Sequence, residues 1–291
     1  MVFAGTGTDL IFHHGINLPG FASFPLVDDP KARPVLQMQM RDLIATAGAA
    51  GFGAILDTPT WMANRDRAAP LGYGAADIER INRDAVALMA EVRDNANSGD
   101  VLLALCLGPS RDPYTKDAPL SVEAARDYHA AQIASVCESG IDLVNAYTFN
   151  QVPEAAGAVL AAADAGLPVA LSLVVETDGC LDNGLPLDAA IAEIDAATDG
   201  AAAYFMVNCA HPDHFGPALS GNPRLKGVVA NASRCSHAEL DEATELDDGN
   251  PAELGGQIAR LVAENPALRV IGGCCGTDMR HLTQMAEKIA Q

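Results

Sequence analysis

A single parallel (β/α)8 barrel is the fold this sequence predicts, on three observations. Short apolar runs bounded by Gly, Pro or Asp recur along the 291 residues, and longer Ala-rich, helix-compatible segments separate them. Each run is nearly all apolar rather than alternating, as expected of strands buried on both faces. No low-complexity tract or linker divides the chain, so one domain spanning 1–291 is expected, near the roughly 250 residues typical of such barrels.

Taken in order, the expected strands are Leu10–Phe12, Ala54–Leu56, Val101–Leu107, Leu143–Ala146, Val169–Val175, Tyr204–Val207, Gly227–Ala230 and Val270–Ile271. The expected helices are Pro34–Ala50, Ala75–Asn95, Ser121–Ser139, Val152–Ala165, Pro186–Thr198, His211–Leu219 and Pro251–Glu264. Ser121 followed by Glu123, and Pro186 ahead of Leu187, carry the start signals of a side-chain cap and an early proline. The irregular stretches Gly15–Pro34, Pro59–Gly74, Gly108–Pro119, Glu176–Leu185 and Ser233–Asn250 nearly all follow a strand. In a barrel they form the C-terminal face, where active sites are built.

Eighteen Lys and Arg against 38 Asp and Glu give a net charge of −20. A surface this acidic repels phosphate backbones and anionic lipid, so nucleic acid and membrane surfaces are not expected partners. No apolar run approaches the ~20 residues that span a bilayer. Seven cysteines without a charged leader and apolar signal core point to a reducing compartment, the cytoplasm, where thiols stay free.

The densest chemistry lies in Gly272-Gly273-Cys274-Cys275-Gly276-Thr277, directly after the last strand. Adjacent cysteines form a disulfide only under strain, because bridged Cα atoms prefer a separation of roughly 4.4–6.8 Å with divergent geometry. Cys209 likewise ends the run Tyr204-Phe205-Met206-Val207-Asn208. Three thiolates from the ends of two strands would make a zinc site with one open position, as catalytic zinc requires. The competing readings are buried cysteines acting as small hydrophobes, a Cys274-Cys275 redox switch, and a phosphate loop on Gly272, Gly273 and Gly276, whose anion the thiolates would repel. Cys106 and Cys137 are expected in core packing, and Cys180 and Cys235 in loops.

Polar groups at the strand exits should line one pocket. They are Asp57 with Thr58, Thr60 and Trp61, Asn145 with Tyr147 and Thr148, Glu176 with Asp178, Asn208 and Asn231. Of these, Asp57, Trp61, Tyr147, Glu176 and Asn208 are expected at the substrate, with His13 and His14 at the exit of the first strand. Trp61 would attract a sulfonium or ammonium methyl group by about 1 kcal/mol or more. His211 and His214 either complete the metal shell or start the helix after strand six. His129, His237 and His281 are expected at the surface or in helix packing.

On Val207-Asn208-Cys209 and Gly272-Gly273-Cys274-Cys275-Gly276-Thr277, supported by Asp178-Gly179 and Gly140-Ile141-Asp142-Leu143, the chain resembles the homocysteine S-methyltransferase family over nearly its whole length. These are zinc-dependent thiol methyltransferases built on a single barrel. The resemblance implies that Cys209, Cys274 and Cys275 hold Zn2+ and that a small thiol takes the open position as thiolate to accept a methyl group from an activated donor. Its partners would be that thiol and that donor; a homo-oligomer stays open. Members that use homocysteine carry Asp-Gly-Gly at the end of strand one and Glu-Thr after strand four, whose carboxylates bind the amino group. Here those places read His13-His14-Gly15 and Tyr147-Thr148. The expected acceptor is then a thiol lacking the amine, with His13 or His14 meeting its acidic end, unless Asp57 or Glu176 restores the charge. Two readings from other classes remain: a non-catalytic zinc or small-molecule-binding barrel, and a redox-responsive protein using the vicinal pair.

Overall fold

The computed structural model describes residues 1–96, 100–114, 118 and 120–291. Eight strands, β1 (Val2–Phe3), β2 (Ala54–Asp57), β3 (Val101–Leu107), β4 (Leu143–Phe149), β5 (Val169–Leu173), β6 (Tyr204–Asn208), β7 (Leu225–Ala230) and β8 (Val270–Gly273), form one parallel sheet in the order β1-β8-β7-β6-β5-β4-β3-β2. The Ile55 amide donates to the Met1 carbonyl at 2.8 Å and brings β2 back against β1. The sheet thus closes on itself as a (β/α)8 barrel.

The helices are α1 (Thr6–Phe12), α2 (Arg33–Ala49), α3 (Arg65–Ala68), α4 (Ala75–Asp94), α5 (Val122–Ala134), α6 (Val152–Asp164), α7 (Leu187–Thr198), α8 (Pro212–Phe215), α9 (His237–Glu242), α10 (Pro251–Glu264) and α11 (Met279–Ile289). Their starts follow local chemistry. Ser121 accepts the Ala124 amide to cap α5, and Asn250 accepts the Ala252 and Glu253 amides ahead of Pro251 in α10. The expected irregular stretch Gly108–Pro119 lies partly outside the described residues, at 115–117 and 119. No helix among the described residues is long and apolar enough to cross a membrane.

The first strand is a correction. Leu10–Phe12 belongs to α1, where Leu10 is buried but Phe12 is 46% exposed. One buried position in three fits a short helix lying on a core, not a strand sandwiched between layers. The true strand is two residues long and lies inside the apolar run Met1-Val2-Phe3-Ala4, which Gly5 ends. It is held because the Ala4 and Gly5 amides both donate to the Gly273 carbonyl, at 2.8 and 3.1 Å. Helix α11 lies outside the expected helices. Its start is polar, with Asp278 and His281 forming the capping box, while Leu282, Met285 and Ala286 bury one stripe.

Alternation along the strands divides the interior in two. Phe149, Phe205, Val207 and Val228 face the helices, whereas Val2, Ile55, Ala104, Leu143, Ala170, Met206 and Val229 fill the barrel. Extending the inward phase toward the C-terminal ends gives Asp57, Cys106, Asn145, Tyr147, Ser172, Asn208, Asn231 and Cys274, a polar layer above an apolar plug. Gly272 and Gly273 serve close packing: a Cβ at Gly272 would strike Val2, and one at Gly273 would strike Thr277.

Candidate active site and metal centre

Strand exits β6 and β8 bring Cys209, Cys274 and Cys275 together, with their three Sγ atoms all within 4.8 Å of one another. Cys209 Sγ and Cys275 Sγ are 3.7 Å apart. Alternation alone would turn Cys209 away from Asn208 and toward the helices. It does not, because Cys209 adopts a left-handed backbone at φ 59°. Thr148 at the exit of β4 does the same at φ 68°. A β-branched residue there is a genuine outlier, worth on the order of 1–3 kcal/mol of strain that the surroundings must hold.

Asn208 is what holds it. Its Oδ1 accepts the Thr148 amide at 2.9 Å and the Ser172 hydroxyl at 2.8 Å, and its Nδ2 donates to Thr148 Oγ1 at 2.9 Å. One buried side chain thereby ties β4, β5 and β6 together. The same Nδ2 approaches Cys274 Sγ at 4.0 Å.

Two groups outside the expected set complete the sulfur cluster. Tyr114, from the loop after β3, donates its hydroxyl to Cys209 Sγ at 3.2 Å. His237, the first residue of α9, places Nε2 2.7 Å from the Cys209 carbonyl and Nδ1 3.2 Å from Glu176 Oε1. Its ring lies 4.6 Å from that of Tyr114. His237 is therefore a site residue rather than the surface or packing histidine expected. The Ser236–Glu239 capping box that starts α9 sets its position, and a lone short-range signal of that kind cannot reveal a contact spanning 28 residues.

The electrostatics centre on one thiolate. Hydrogen bonds from Cys274 and Cys275 hold Cys209 well below the usual thiol range, and the same bonds push the two donors well above it. Burial, with the neighbouring thiols, pushes the Tyr114 phenol up. Burial opposes charge on His237, yet its hydrogen bonding to Cys209, the charge there and Glu176 together carry it up to about 9.

The cluster opens on a cavity of about 500 Å3, lined among others by Phe3, Ala4, Ile11, Met62, Cys106, Asn231 and Leu246. Asp57, Trp61, Tyr147 and Asn208 also line it. His13, His14 and Glu176 do not. His13 and His14 sit at the end of α1 against Asp9, with ring nitrogens 2.9 and 3.4 Å from its carboxylate. They follow a helix rather than strand one, so the relevant strand-one exit is Ala4-Gly5, which carries no carboxylate either. Glu176 instead fixes His237.

Cys106 packs against the barrel core as expected, facing inward on β3 where it also lines the cavity, whereas Cys137 is exposed rather than in core packing. Cys235 is exposed and Cys180 half-buried in its loop. His211 accepts the Asp213 amide and caps α8. His129 pairs with Glu154 and His281 with Asp278, both buried.

Below the sulfurs, Asp57 is buried and accepts hydrogen bonds from Asn145 Nδ2 at 2.7 Å and the Tyr147 hydroxyl at 3.0 Å. Burial pushes its carboxyl up to about 7 despite both donors. A carboxyl raised on folding keeps its proton while the unfolded chain loses it between pH 4 and 7. Stability linked to it is therefore full below about pH 4 and lost as the pH rises through 7. Asp57→Asn should remove that decline, giving a melting temperature flatter than wild type between pH 4.5 and 7. Parallel slopes in the two proteins would show that Asp57 ionises normally.

The homocysteine S-methyltransferase family model matches residues 4–289. Betaine–homocysteine S-methyltransferase 1 of Rattus norvegicus is 26% identical over 260 residues, 81% of this chain and 60% of its own length. S-methylmethionine–homocysteine S-methyltransferase BHMT2 of Mus musculus is 26% identical over 259 residues, 81% of this chain and 65% of its own. The chain thus spans about three-fifths of the length of the curated relatives it matches. Among solved structures, the metallated homocysteine methyltransferase MmuM of Escherichia coli superposes with a TM-score of 0.74 at 20% identity, covering 99% of this chain and 95% of that one. Its oxidized form gives 0.75 at 21%. The structural likeness speaks for the barrel, and the match across almost every residue speaks for descent: this chain belongs to the homocysteine S-methyltransferase family.

Proposed function

We propose that this chain, acting as one domain over 1–291 in the reducing cytoplasm, is a zinc-dependent S-methyltransferase that methylates a small thiol. The observation that carries this reading is the cluster of Cys209, Cys274 and Cys275 at the mouth of the cavity. Thiolates about 2.3 Å from a tetrahedral zinc lie about 3.8 Å apart, and the 3.7 Å between Cys209 and Cys275 fits that edge. Zinc held there would take the proton from a substrate thiol, which at its ordinary pKa near 8.5 is mostly protonated at pH 7.

The chain's own residues supply the rest. Tyr114 donates to the Cys209 sulfur, Asn208 approaches that of Cys274, and His237, oriented by Glu176, fixes the strained Cys209 backbone. The apolar wall of Phe3, Ile11, Met62 and Leu246 keeps water from the reacting centre. In the transfer, a substrate sulfur lone pair forms the new S–CH3 bond as the bond from the methyl carbon to the donor heteroatom breaks, and that electron pair leaves with the donor. Arg67 covers one face of the Trp61 ring at 4.2 Å, so a sulfonium or ammonium donor has only the other face for a cation–π contact.

Mass spectrometry of the zinc-loaded protein with candidate thiols and methylated donors tests the reaction. Calorimetry of thiol binding in buffers of different ionisation enthalpy should show about one proton released. Methyl transfer without proton release would remove thiolate capture from the mechanism, and no transfer to any thiol would leave the family fold without this activity.

A further inference from the structure

One cation inside the cavity meets no substrate group in the scheme above. Arg67, in the short helix α3, lines the same cavity as the three cysteines. Its guanidinium carbon lies 4.2 Å over the Trp61 ring, and its Nη1 is buried with no hydrogen-bond partner among the described residues. Neighbouring Arg65 shows the contrast, since it turns outward and pairs with Asp66 at 2.8 Å. A buried donor without a partner is unfavourable, and a guanidinium fork matches the two oxygens of a carboxylate.

The side chain is also held in place. Asn64 Oδ1 accepts the Arg67 amide at 3.1 Å and the Tyr128 hydroxyl at 3.0 Å, while Asn64 Nδ2 donates to the Pro109 carbonyl at 3.1 Å. Trp61, on which the guanidinium stacks, donates Nε1 to the Tyr147 carbonyl at 3.3 Å. The loops after β2 and β3, strand β4 and helix α5 therefore fix the cation jointly. Asp112 and Glu154 act on it electrostatically. Glu154 is committed to the Ser110 amide at 2.6 Å and to His129 at 3.1 Å, and Asp112 accepts the Tyr114 amide at 3.0 Å.

We propose that Arg67 binds a substrate carboxylate inside the cavity, which makes carboxylate-bearing thiols or carboxylate-bearing methyl donors the substrate class. The assignment to a methyl-transfer substrate rests on the function proposed above; the carboxylate site itself does not.

Calorimetry with 3-(methylthio)propionate and with its amide reads the site without needing a thiol. The acid should bind wild type at least tenfold tighter than the amide. Arg67→Gln should remove that difference while leaving amide binding unchanged, Arg67→Lys should keep part of it, and Cys275→Ala should keep all of it. A parallel pair, a dimethylsulfonio acid against trimethylsulfonium, assigns the carboxylate to the donor if only that acid responds to Arg67→Gln. The proposal is overturned if, in both pairs, the acid binds wild type no tighter than its partner lacking the carboxylate, a comparison that needs no variant, or if Arg67→Gln weakens both members of each pair alike. An Arg67-dependent acid preference with no thiol methylated would sink the reaction and leave the carboxylate site standing.

Discussion

Cys275→Ala, Cys274→Ala and Cys209→Ala are each expected to reduce bound zinc from about one per chain to near none, and methyl transfer by about 10^3-fold or more. Two losses combine: a thiol of pKa near 8.5 is only a few per cent thiolate at pH 7, and the sulfur is no longer held in position for in-line attack. The barrel should stay folded, because the ligands stand at strand exits above the apolar plug of Val2, Ile55, Met206 and Val229. Cys209→Gly is a useful companion, since glycine tolerates the φ of 59° and separates ligand loss from backbone strain. Full zinc occupancy in any one variant, measured on protein purified without chelator, would remove that cysteine from the centre.

The second large effect concerns acceptor choice. The place near the end of strand four where the family carries a carboxylate holds Tyr147, and the strand-one exit carries Ala4, so neither supplies a carboxylate for an amino group. An ammonium desolvated without a counter-charge loses several kcal/mol, and each 1.4 kcal/mol is tenfold in rate. A 3-carbon mercapto acid should therefore exceed homocysteine by tenfold or more in kcat/KM with any donor the enzyme accepts. Glu176 is engaged with His237 and does not line the cavity; Asp112, Glu245 and Asp247 line it but are exposed, so Asp57 is the buried acid best placed to compensate for a desolvated ammonium. Should homocysteine win by tenfold, Asp57→Asn must erase the advantage; if it does not, the pocket reading fails while the sulfur cluster is untouched.

The barrel was legible because strands buried on both faces leave short, nearly unbroken apolar runs between helical segments, and seven of the eight announced themselves that way. Val2–Phe3 did not, because the apolar run Met1–Ala4 that holds it competes with the equally apolar Leu10–Phe12, and taking the second as the strand misplaced the first exit at His13. The sulfur cluster was legible because glycines and adjacent cysteines after β8 are a local pattern. Tyr114, His237 and Arg67 were not. Each reaches the cavity from a loop or short helix whose placement depends on tertiary contacts, such as the bond from His237 to the Cys209 carbonyl, that leave no period in the chain. The inward phase of the strands would have recovered Cys106 as a lining residue, because it lies an even number of residues from the buried barrel position Ala104.

X-ray absorption at the zinc edge, recorded on the loaded protein with and without an accepted thiol, tests the central claim most directly. Three sulfurs at about 2.3 Å with one lighter neighbour should become four sulfurs when the thiol is added. A first shell unchanged by a thiol that the protein methylates would contradict it.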